Sequence, residues 1–358
     1  DGGTSETFIF AGTTIGASLV LGSDGAGGKT LTEEVACFLP GTQILTDRGE
    51  VAVETLQVGD LVVTVSGKQR PLCWIGKGSA LTTRWRRTAA TPLIVRKGAL
   101  ADNVPHRDLR ITKGHSLFVD DVLIPVEFLV NHRSILWDDH AREVTVYHLE
   151  LDEHDVLIAD GAPAESYRDD GNRWLFRNAN SGWDQPAKAP CAPVLTGGPI
   201  VDAAWQRLLD RAGGGTRAPL TEEADLHLVV DGVRVDATRR DGDDFIFNLS
   251  GPADSVRIGS RSVVPQELGL VRDSRCLGVA LRQVVVRQGS WSSAIHADDV
   301  RLPDGFHQYE SDNGFVWTDG DAGLPMELMP ELSAAVEVVL TVASTTRYLD
   351  DGVKRRVA

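Results

Sequence analysis

Short runs in which apolar and polar residues alternate dominate the chain from Cys37 to about Tyr167. Alternation with a period of two is typical of strands that bury one face, and the Gly and Asp residues between the runs are typical of turns. The segments that this pattern predicts as strands are QILTD, EVAVETL, DLVVTV, LRI, HSLFVD, VLIPVEFL, EVTVYHLEL and DVLIA. The pattern therefore predicts an all-β domain in this part of the chain.

The predicted β domain repeats itself at a constant offset of 73 residues. The identical pairs are Gly41 and Gly114, Asp47 and Asp120, Val53 and Val126, Glu54 and Glu127, and Leu56 and Leu129. Any two hairpins can share part of such a pattern, but the run of matches favours a duplication with two halves related by a pseudo-twofold axis. The offset gives His115 the repeat position of Thr42, five residues after Cys37. A pseudo-twofold fold could bring His115 and Cys37 together.

Beyond the β domain, the pattern predicts a linker, one helix and a second β domain. The segment IVDAAWQRLLDRAG has apolar residues at helical intervals and ends at Gly213. From about Leu226 the period of two returns, which favours a β-sandwich. The apolar helix positions are Ile200, Ala203, Ala204, Leu208 and Ala212. The predicted divisions are an upstream flank at 1–36, the all-β domain at 37–170, a linker at 171–198 and a β-sandwich-like domain with one short helix at 199–358.

Composition excludes several classes of partner. The chain carries 36 Lys and Arg against 51 Asp and Glu, and a net charge of -15 repels nucleic acids and anionic membrane surfaces. No apolar run approaches the length of a membrane span. The four cysteines lie far apart without paired spacing, so we expect no disulfide framework, metal site or cofactor. The first residue is Asp rather than Met, and we expect the chain to be a fragment or a processed piece.

Three separate segments resemble the signatures of the Hint domain, the self-processing module of Hedgehog proteins and inteins, most closely its bacterial subfamily. CFLPGTQILTDRGEVAVETLQVGDLVVT resembles the opening of the domain, LRITKGHSLFV contains its Thr-x-x-His signature, and YHLELDEHDVLIADGAPAESY resembles its closing strands. The order and spacing of the three matches cover roughly residues 37–167. The resemblance implies an all-β, pseudo-twofold fold in which Cys37 is the nucleophile.

The chemistry of self-cleavage explains these residue types. A Cys side chain that attacks the preceding carbonyl, here that of Ala36, turns the amide into a thioester, and sulfur is a strong nucleophile. The departing nitrogen of Cys37 needs a proton, and His115 is the candidate donor because imidazole can titrate near neutrality. Thr112 would hold the scissile amide or polarise its carbonyl. His154, in the closing strands, is a candidate proton relay.

A second Thr-x-x-His match, Thr145 with His148, competes with Thr112 and His115. The repeat position favours Thr112 and His115, so we expect the other match to be a coincidence and His148 to support the site or merely to pair across strands.

The end of the predicted domain limits its chemistry. Splicing inteins close with His-Asn followed by Cys, Ser or Thr, whereas this chain has Glu165 and Ser166, which cannot form the succinimide that releases the downstream segment. We therefore expect self-cleavage of the chain's own upstream segment without complete splicing, with water or an unknown outside nucleophile as acceptor. The charged, turn-rich residues after Tyr167 argue against sterol transfer.

Two other functions remain open at this point. The fold could be inactive in a secreted, adhesive or glycan-binding bacterial protein, or it could be an ordinary cysteine hydrolase that acts in trans. The aromatic residues that could form a sugar-binding platform are Phe306, His307, Tyr309, Phe315 and Trp317. Aromatics that alternate along strands more often face a sandwich core. We expect the protein to be secreted or displayed on a bacterial cell surface.

Overall fold

The structure is a computed structural model, mostly β, that divides into two compact units, residues 1–214 and 215–358. It describes residues 19–23, 29–33, 36–81, 90–168, 188–250, 253–302, 304–325 and 335–350, with Arg87, Arg173 and residues 176–179. Of the predicted upstream flank, it describes the backbone of one antiparallel hairpin and Ala36, and the remainder of the flank lies outside the described residues.

The strands of the first unit are short and follow the predicted runs closely. They are β1 (Leu19–Ser23), β2 (Lys29–Glu33), β3 (Gln43–Thr46), β4 (Gly49–Ala52), β5 (Leu61–Val63), β6 (Gln69–Pro71), β7 (Trp74–Leu81), β8 (Pro92–Val95), β9 (Leu109–Thr112), β10 (Ser116–Val119), β11 (Val122–Pro125), β12 (Ile135–Trp137), β13 (Glu143–Glu150), β14 (Val156–Ala159) and β15 (Ala162–Glu165). Each strand segment predicted from the sequence overlaps one of these strands.

The duplication is visible in the strand boundaries. Strands β3 and β4, followed by the 3-10 helix Val53–Thr55, recur as β10 and β11, followed by the 3-10 helix Val126–Leu129. The offset between the two sets is the 73 residues predicted from the sequence. The turns before the two copies match as well, because the N–H of Val53 donates to the carbonyl of Thr42 at 2.8 Å and the N–H of Val126 donates to that of His115 at 3.0 Å. The repeat prediction is therefore confirmed.

A hairpin from the closing strands joins the two copies in one sheet. Among the described residues this sheet has eight strands, with β11, β10, β15, β14, β3, β5 and β6 as successive neighbours and β4 beside β3. The turn between β14 and β15 consists of Asp160 and Gly161, both with positive φ (48° and 81°). Asp-Gly is a preferred sequence for such two-residue hairpin turns. The turn sends β15 back beside β10, which places Glu165 next to Ser116.

The helix α1 (Pro199–Arg211) belongs to the first unit, so the unit boundary falls after Gly214 and not at the predicted residue 199. Its residues Val201, Ala204 and Leu208 join the core of the β domain, and the indole of Trp205 donates to the carbonyl of Val130 at 2.7 Å. The buried face is therefore rotated from the predicted one. Ile200 is 48% exposed, because α1 turns the face that contains Trp205 towards the β domain and Ile200 lies outside that face.

The predicted linker at 171–198 also packs on the first unit wherever the structure describes it. Val194 forms a bridge with Leu123, and the N–H of Leu195 donates to the carbonyl of Leu123 at 2.9 Å. Phe176 and Ala179 are buried. This segment is therefore an ordered extension of the β domain in its described parts.

The second unit contains two principal sheets that share one hydrophobic core, as the predicted sandwich requires. The strands are β16 (Leu220–Thr221), β17 (His227–Val230), β18 (Val233–Asp236), β19 (Arg239–Asp241), β20 (Asp244–Leu249), β21 (Val256–Gly259), β22 (Val279–Gln288), β23 (Trp291–His296), β24 (Val316–Trp317), β25 (Asp321–Gly323), β26 (Val336–Thr345) and β27 (Tyr348–Leu349). One sheet has the order β18, β17, β21, β25, and the other has β19, β20, β26, β22, β23 with β24 beside β22. A short α2 (Pro265–Leu268) lies in the same unit.

Candidate active site

The backbone around Cys37 is held between two strands. The N–H of Phe38 donates to the carbonyl of Tyr147 in β13 at 2.8 Å, and the N–H of Tyr147 returns a bond to the carbonyl of Phe38 at 2.9 Å. On the other side, the N–H of Leu39 donates to the carbonyl of Arg110 in β9 at 3.2 Å. These bonds hold Phe38 and Leu39, the two residues after Cys37, inside the domain.

Thr112 forms hydrogen bonds with both the N–H and the carbonyl of Cys37. The N–H of Cys37, which belongs to the predicted scissile amide, donates to Oγ1 of Thr112 at 2.7 Å. The N–H of Thr112 donates to the carbonyl of Cys37 at 3.0 Å. Of the two roles considered for Thr112, this geometry fits holding the amide nitrogen.

His115 lies at the other end of the turn that begins at Thr112. Its N–H donates to the carbonyl of Thr112 at 3.1 Å, and its ring lies 4.2 Å from the ring of Phe38, centroid to centroid. The structure thus brings His115 beside the residue that follows Cys37. Both ring nitrogens are buried without a hydrogen-bond partner among the described residues.

His148 also belongs to this cluster, which the sequence analysis did not favour. Its ring stacks on that of His115 at 5.2 Å and meets the ring of Tyr167 at 4.9 Å. His148 is buried on β13, one residue beyond the strand position that pairs with Phe38. The second Thr-x-x-His match was the sequence signal for His148, although its Thr145 is not part of the cluster.

Glu165 is the functional candidate that sequence reasoning missed, since it was considered only as a substitute for the end of an intein. Its side chain is buried, and Oε1 accepts the N–H of Ser116 at 2.6 Å. Its Oε2 lies 3.6 Å from Nε2 of His154. The predicted relay residue His154 makes no ring contact with His115 among the described residues. Both imidazoles interact electrostatically with the same carboxylate, that of Glu165.

His154 connects this buried group to the surface. The N–H of Cys191 donates to its Nδ1 at 3.0 Å, which leaves Nε2 as the nitrogen that bears hydrogen towards Glu165. Burial opposes the charged ring, but the Cys191 side chain and the Glu165 carboxylate outweigh it and raise the pKa of His154 above its ordinary value. Together with Arg70, Lys188 and Cys191, His154 lines a surface cavity of about 490 Å³.

Burial controls the protonation of the central residues. It raises the pKa of the Cys37 thiol far above its ordinary value, so the thiol is neutral at physiological pH. It lowers the pKa of His115 to about 4 and lowers that of His148 as well. The cause is that a fully buried imidazole loses the hydration that would stabilise its charged form.

The side chain of Cys37 lies in an apolar cluster that the segment after the β domain completes. The cluster contains Trp74, Tyr167 and Phe176 with several aliphatic residues. We call residues 176–179 the cover segment. It is held on β7 by the side chain of Asn178, which accepts the N–H of Lys77 at 3.0 Å and donates to the carbonyl of Ile75 at 2.7 Å. Cys37 is fully buried as a result.

Elsewhere in the described part of the chain, the other candidate sites receive little support. No group of three or more His, Cys, Asp and Glu side chains there is placed to hold a metal ion. Neither of its helices is long and apolar enough to cross a membrane. In the second unit, Trp317 is buried, Phe315 packs edge-on against it and Phe306 packs on the core, which leaves Tyr309 as the exposed aromatic residue of the proposed platform.

The matches to known proteins that we describe concern the first unit. Residues 36–171 match the family model of the Hint domain. Solved structures similar to the chain include the gp41-1 intein, at 12% identity and a TM-score of 0.29, over 37% of this chain and 98% of that one. A bacterial intein-like domain from Clostridium thermocellum is 17% identical with a TM-score of 0.29, over 37% of this chain and 100% of that one. The MchDnaB-1 intein is 12% identical with a TM-score of 0.28, over 37% of this chain and 100% of that one.

No curated protein is significantly similar to the chain in sequence. The family match nevertheless spans the duplicated hairpins, the Thr112–His115 turn and the closing strands. Residues 36–171 of this chain are a Hint domain.

Proposed function

We propose that the Hint domain cleaves its own chain between Ala36 and Cys37 through a thioester. The observation that carries the proposal is the bond from the scissile N–H of Cys37 to the hydroxyl of Thr112, 2.7 Å long and buried. The family to which the domain belongs gives the reaction type, and the contacts of Cys37 support the bond that reacts.

The first step exchanges a nitrogen for a sulfur on the carbonyl carbon of Ala36. The Cys37 thiol is neutral, so its proton must leave as sulfur attacks, and the neutral imidazole of His115 is the acceptor in our proposal. The C–S bond forms, the C–N bond breaks, and the resulting imidazolium gives the proton to the nitrogen of Cys37. An imidazolium whose pKa is about 4 is a strong acid, which suits protonation of a departing amine.

Thr112 keeps the leaving nitrogen in place during this step. Its hydroxyl accepts the N–H of Cys37 and its own N–H donates to the carbonyl of Cys37, so the nitrogen stays close to the turn that carries His115. Positioning of reacting groups reduces the entropic part of a barrier.

The second step is capture of the thioester by water or by an outside nucleophile. Glu165 and Ser166 occupy the place where splicing inteins carry His-Asn, and both side chains are bonded inside the domain, Glu165 to Ser116 and Ser166 to the N–H of Asp155 at 3.0 Å. We infer that the downstream unit stays attached. The aromatic residues of the second unit give no observation that favours glycan binding.

Incubation of the purified full chain tests the proposal. With dithiothreitol or hydroxylamine, which attack thioesters, we expect a fragment that begins at Cys37 and an upstream fragment that carries the captured nucleophile at Ala36, both identified by intact mass. Cys37→Ala should give neither fragment. The matched control is Cys73→Ala, since Cys73 is an exposed thiol outside the site. Equal cleavage in the Cys37→Ala chain, or cleavage at another bond, would refute the proposal.

A further inference from the structure

Glu165 is a buried carboxylate to which the proposed reaction assigns no role. It is 6% exposed. A buried carboxylate is costly unless hydrogen bonds or charges compensate it. Here burial opposes ionisation, but His154, His115 and the N–H of Ser116 outweigh it and lower the pKa of Glu165 to about 2. The side chain is therefore an anion inside the domain at all physiological pH values.

Three imidazoles from different elements surround this anion. His115 precedes β10, His148 lies on β13, and His154 lies in the loop that leads to β14. The charge of Glu165 favours the protonated form of all three rings. The ring nitrogens of His115 and His148 have no hydrogen-bond partner among the described residues, so this charge is the main compensation for a proton on either ring.

Glu165 also fixes the backbone next to His115. The N–H that it accepts, at 2.6 Å, belongs to Ser116, the residue directly after His115. The carbonyl of His115 is held on the other side by the N–H of Val126 at 3.0 Å. The peptide that joins His115 to Ser116 is thus held through both of its polar groups, and one of the two partners is the carboxylate.

We propose that Glu165 is a positioning residue for the self-cleavage, which holds the His115 turn through Ser116 and supplies the negative charge that stabilises the His115 imidazolium during the acyl shift. The inference rests on the proposed function. When the Cys37 proton arrives on His115, a charge forms in a site that burial has made unfavourable for it, and the fixed anion offsets part of that cost. Glu165 itself neither touches the scissile peptide nor exchanges a proton in this proposal.

A purely structural role for Glu165, as the partner of His154, is the alternative, and it makes a different prediction. Glu165→Gln removes the charge, while its amide oxygen can still accept the N–H of Ser116. His154→Gln removes an imidazole that is protonated in the acidic range where His115 titrates, and it leaves Glu165 charged. Because His154 opposes and Glu165 favours protonation of His115, the two variants should move the pKa of His115 in opposite directions.

The test measures this pKa and the cleavage rate in the full chain. In a Cys37→Ala background, which cannot cleave, NMR titration of the His115 ring should give a lower pKa with Glu165→Gln and a higher one with His154→Gln, with His115→Gln identifying the resonance. In the Cys37 chain, Glu165→Gln should slow thiol-induced cleavage by about 10- to 100-fold, less than the about 10²- to 10³-fold typical when a group in direct contact with the developing charge is removed. The acid limb of the pH profile should move to lower pH.

Unchanged His115 titration in Glu165→Gln, or a lower plateau rate with an unmoved acid limb, would overturn the inference. If Glu165→Gln does not fold, the titration of the His154→Gln variant tests the inference. An unchanged pKa of His115 in that variant would show that the neighbouring charges do not act on the His115 ring, and it would overturn the inference. Absence of cleavage in the parent chain would refute the proposed function, and the titration in the Cys37→Ala background would still report on Glu165.

Discussion

Thr112 and Cys37 are joined by three hydrogen bonds across 75 residues of sequence. Oγ1 of Thr112 accepts the N–H of Cys37 at 2.7 Å and donates to its carbonyl at 3.4 Å, and the N–H of Thr112 donates to the same carbonyl at 3.0 Å. The side chain of Thr112 therefore contacts the nitrogen that leaves in the proposed reaction, while its backbone holds the residue that attacks. The first prediction therefore gives the effect of this side chain on the reaction rate apart from its effect on stability.

Thr112→Val should slow thioester formation by about 10- to 1,000-fold, in the range known for loss of one precisely placed polar group at a reacting centre. It should also cost about 1–3 kcal/mol of stability, because the buried N–H of Cys37 loses its partner. Thr46→Val is the control, since its buried hydroxyl donates to the carbonyl of Gly49 at 2.7 Å in a hairpin turn. Equal slowing in both variants, measured by thiol-induced cleavage, would argue against a role for Thr112 in the reaction.

His115→Gln should reduce the cleavage rate by about 10²- to 10⁴-fold, the usual contribution of general acid and base catalysis. His148→Gln should reduce it less, because His148 acts through its stacking on His115 at 5.2 Å. Single-turnover rates of the two variants, each folded by circular dichroism, give the comparison. A more severe loss in His148→Gln would assign the proton transfer to His148 instead.

The buried histidines should make the first unit less stable in acid. The pKa of His115 is lowered to about 4, so its contribution to stability is complete above the unfolded value of about 6.5 and is lost as pH falls towards 4. His148, whose pKa is also lowered, acts in the same direction. Each proton excluded from the folded state should contribute a slope of about 1.4 kcal/mol per pH unit in that window.

The free energy of unfolding of the Cys37→Ala chain, measured at several pH values between 4 and 7, gives this slope. Introduction of His115→Gln should reduce the slope by the contribution of one proton, about 1.4 kcal/mol per pH unit. An unchanged slope would mean that His115 is accessible to protons in the folded state.

A chain that ends at Gly214 should cleave itself as fast as the full chain, because all the residues of the site lie in the first unit. A chain that ends at residue 198 should lose on the order of 5 kcal/mol of stability, because the surfaces that Val201, Trp205 and Leu208 bury become exposed. Thermal unfolding and cleavage assays on both chains test the boundary. Full activity and unchanged stability in the shorter chain would show that α1 is dispensable.

Asn178→Ala should raise the rate at which water captures the thioester, because it removes both bonds by which that side chain holds the cover segment on β7. The ratio of hydrolysed to dithiothreitol-captured upstream fragment, measured by mass spectrometry, is the readout. Gln57→Ala, an exposed change far along the chain from the cover segment, should leave the ratio at its original value. If Asn178→Ala leaves it unchanged too, the cover segment does not limit access of water.

The strands, the duplication and the turn that carries Thr112 and His115 could be predicted from local sequence patterns. Period-two alternation is a local property of a strand with one buried face, so β3, β10 and β13 could be recognised without knowledge of their partners. The spacing of Thr112 and His115 is also local, because one turn carries both. The repeat then related that turn to the one after Cys37.

The way in which the remaining groups of the site combine depends on contacts that form when the whole domain folds. Glu165 meets Ser116 because β15 pairs with β10, and His148 meets His115 because Phe38 pairs with both β9 and β13, contacts between residues that are distant in the chain. The same applies to α1 and Phe176. The sequence indicated the helix and contained the aromatic residue, but it did not indicate which surfaces of the β domain they cover. The pKa of His115 depends on how completely the folded chain excludes water from its ring, and that exclusion is a property of the packed domain rather than of any segment of its sequence.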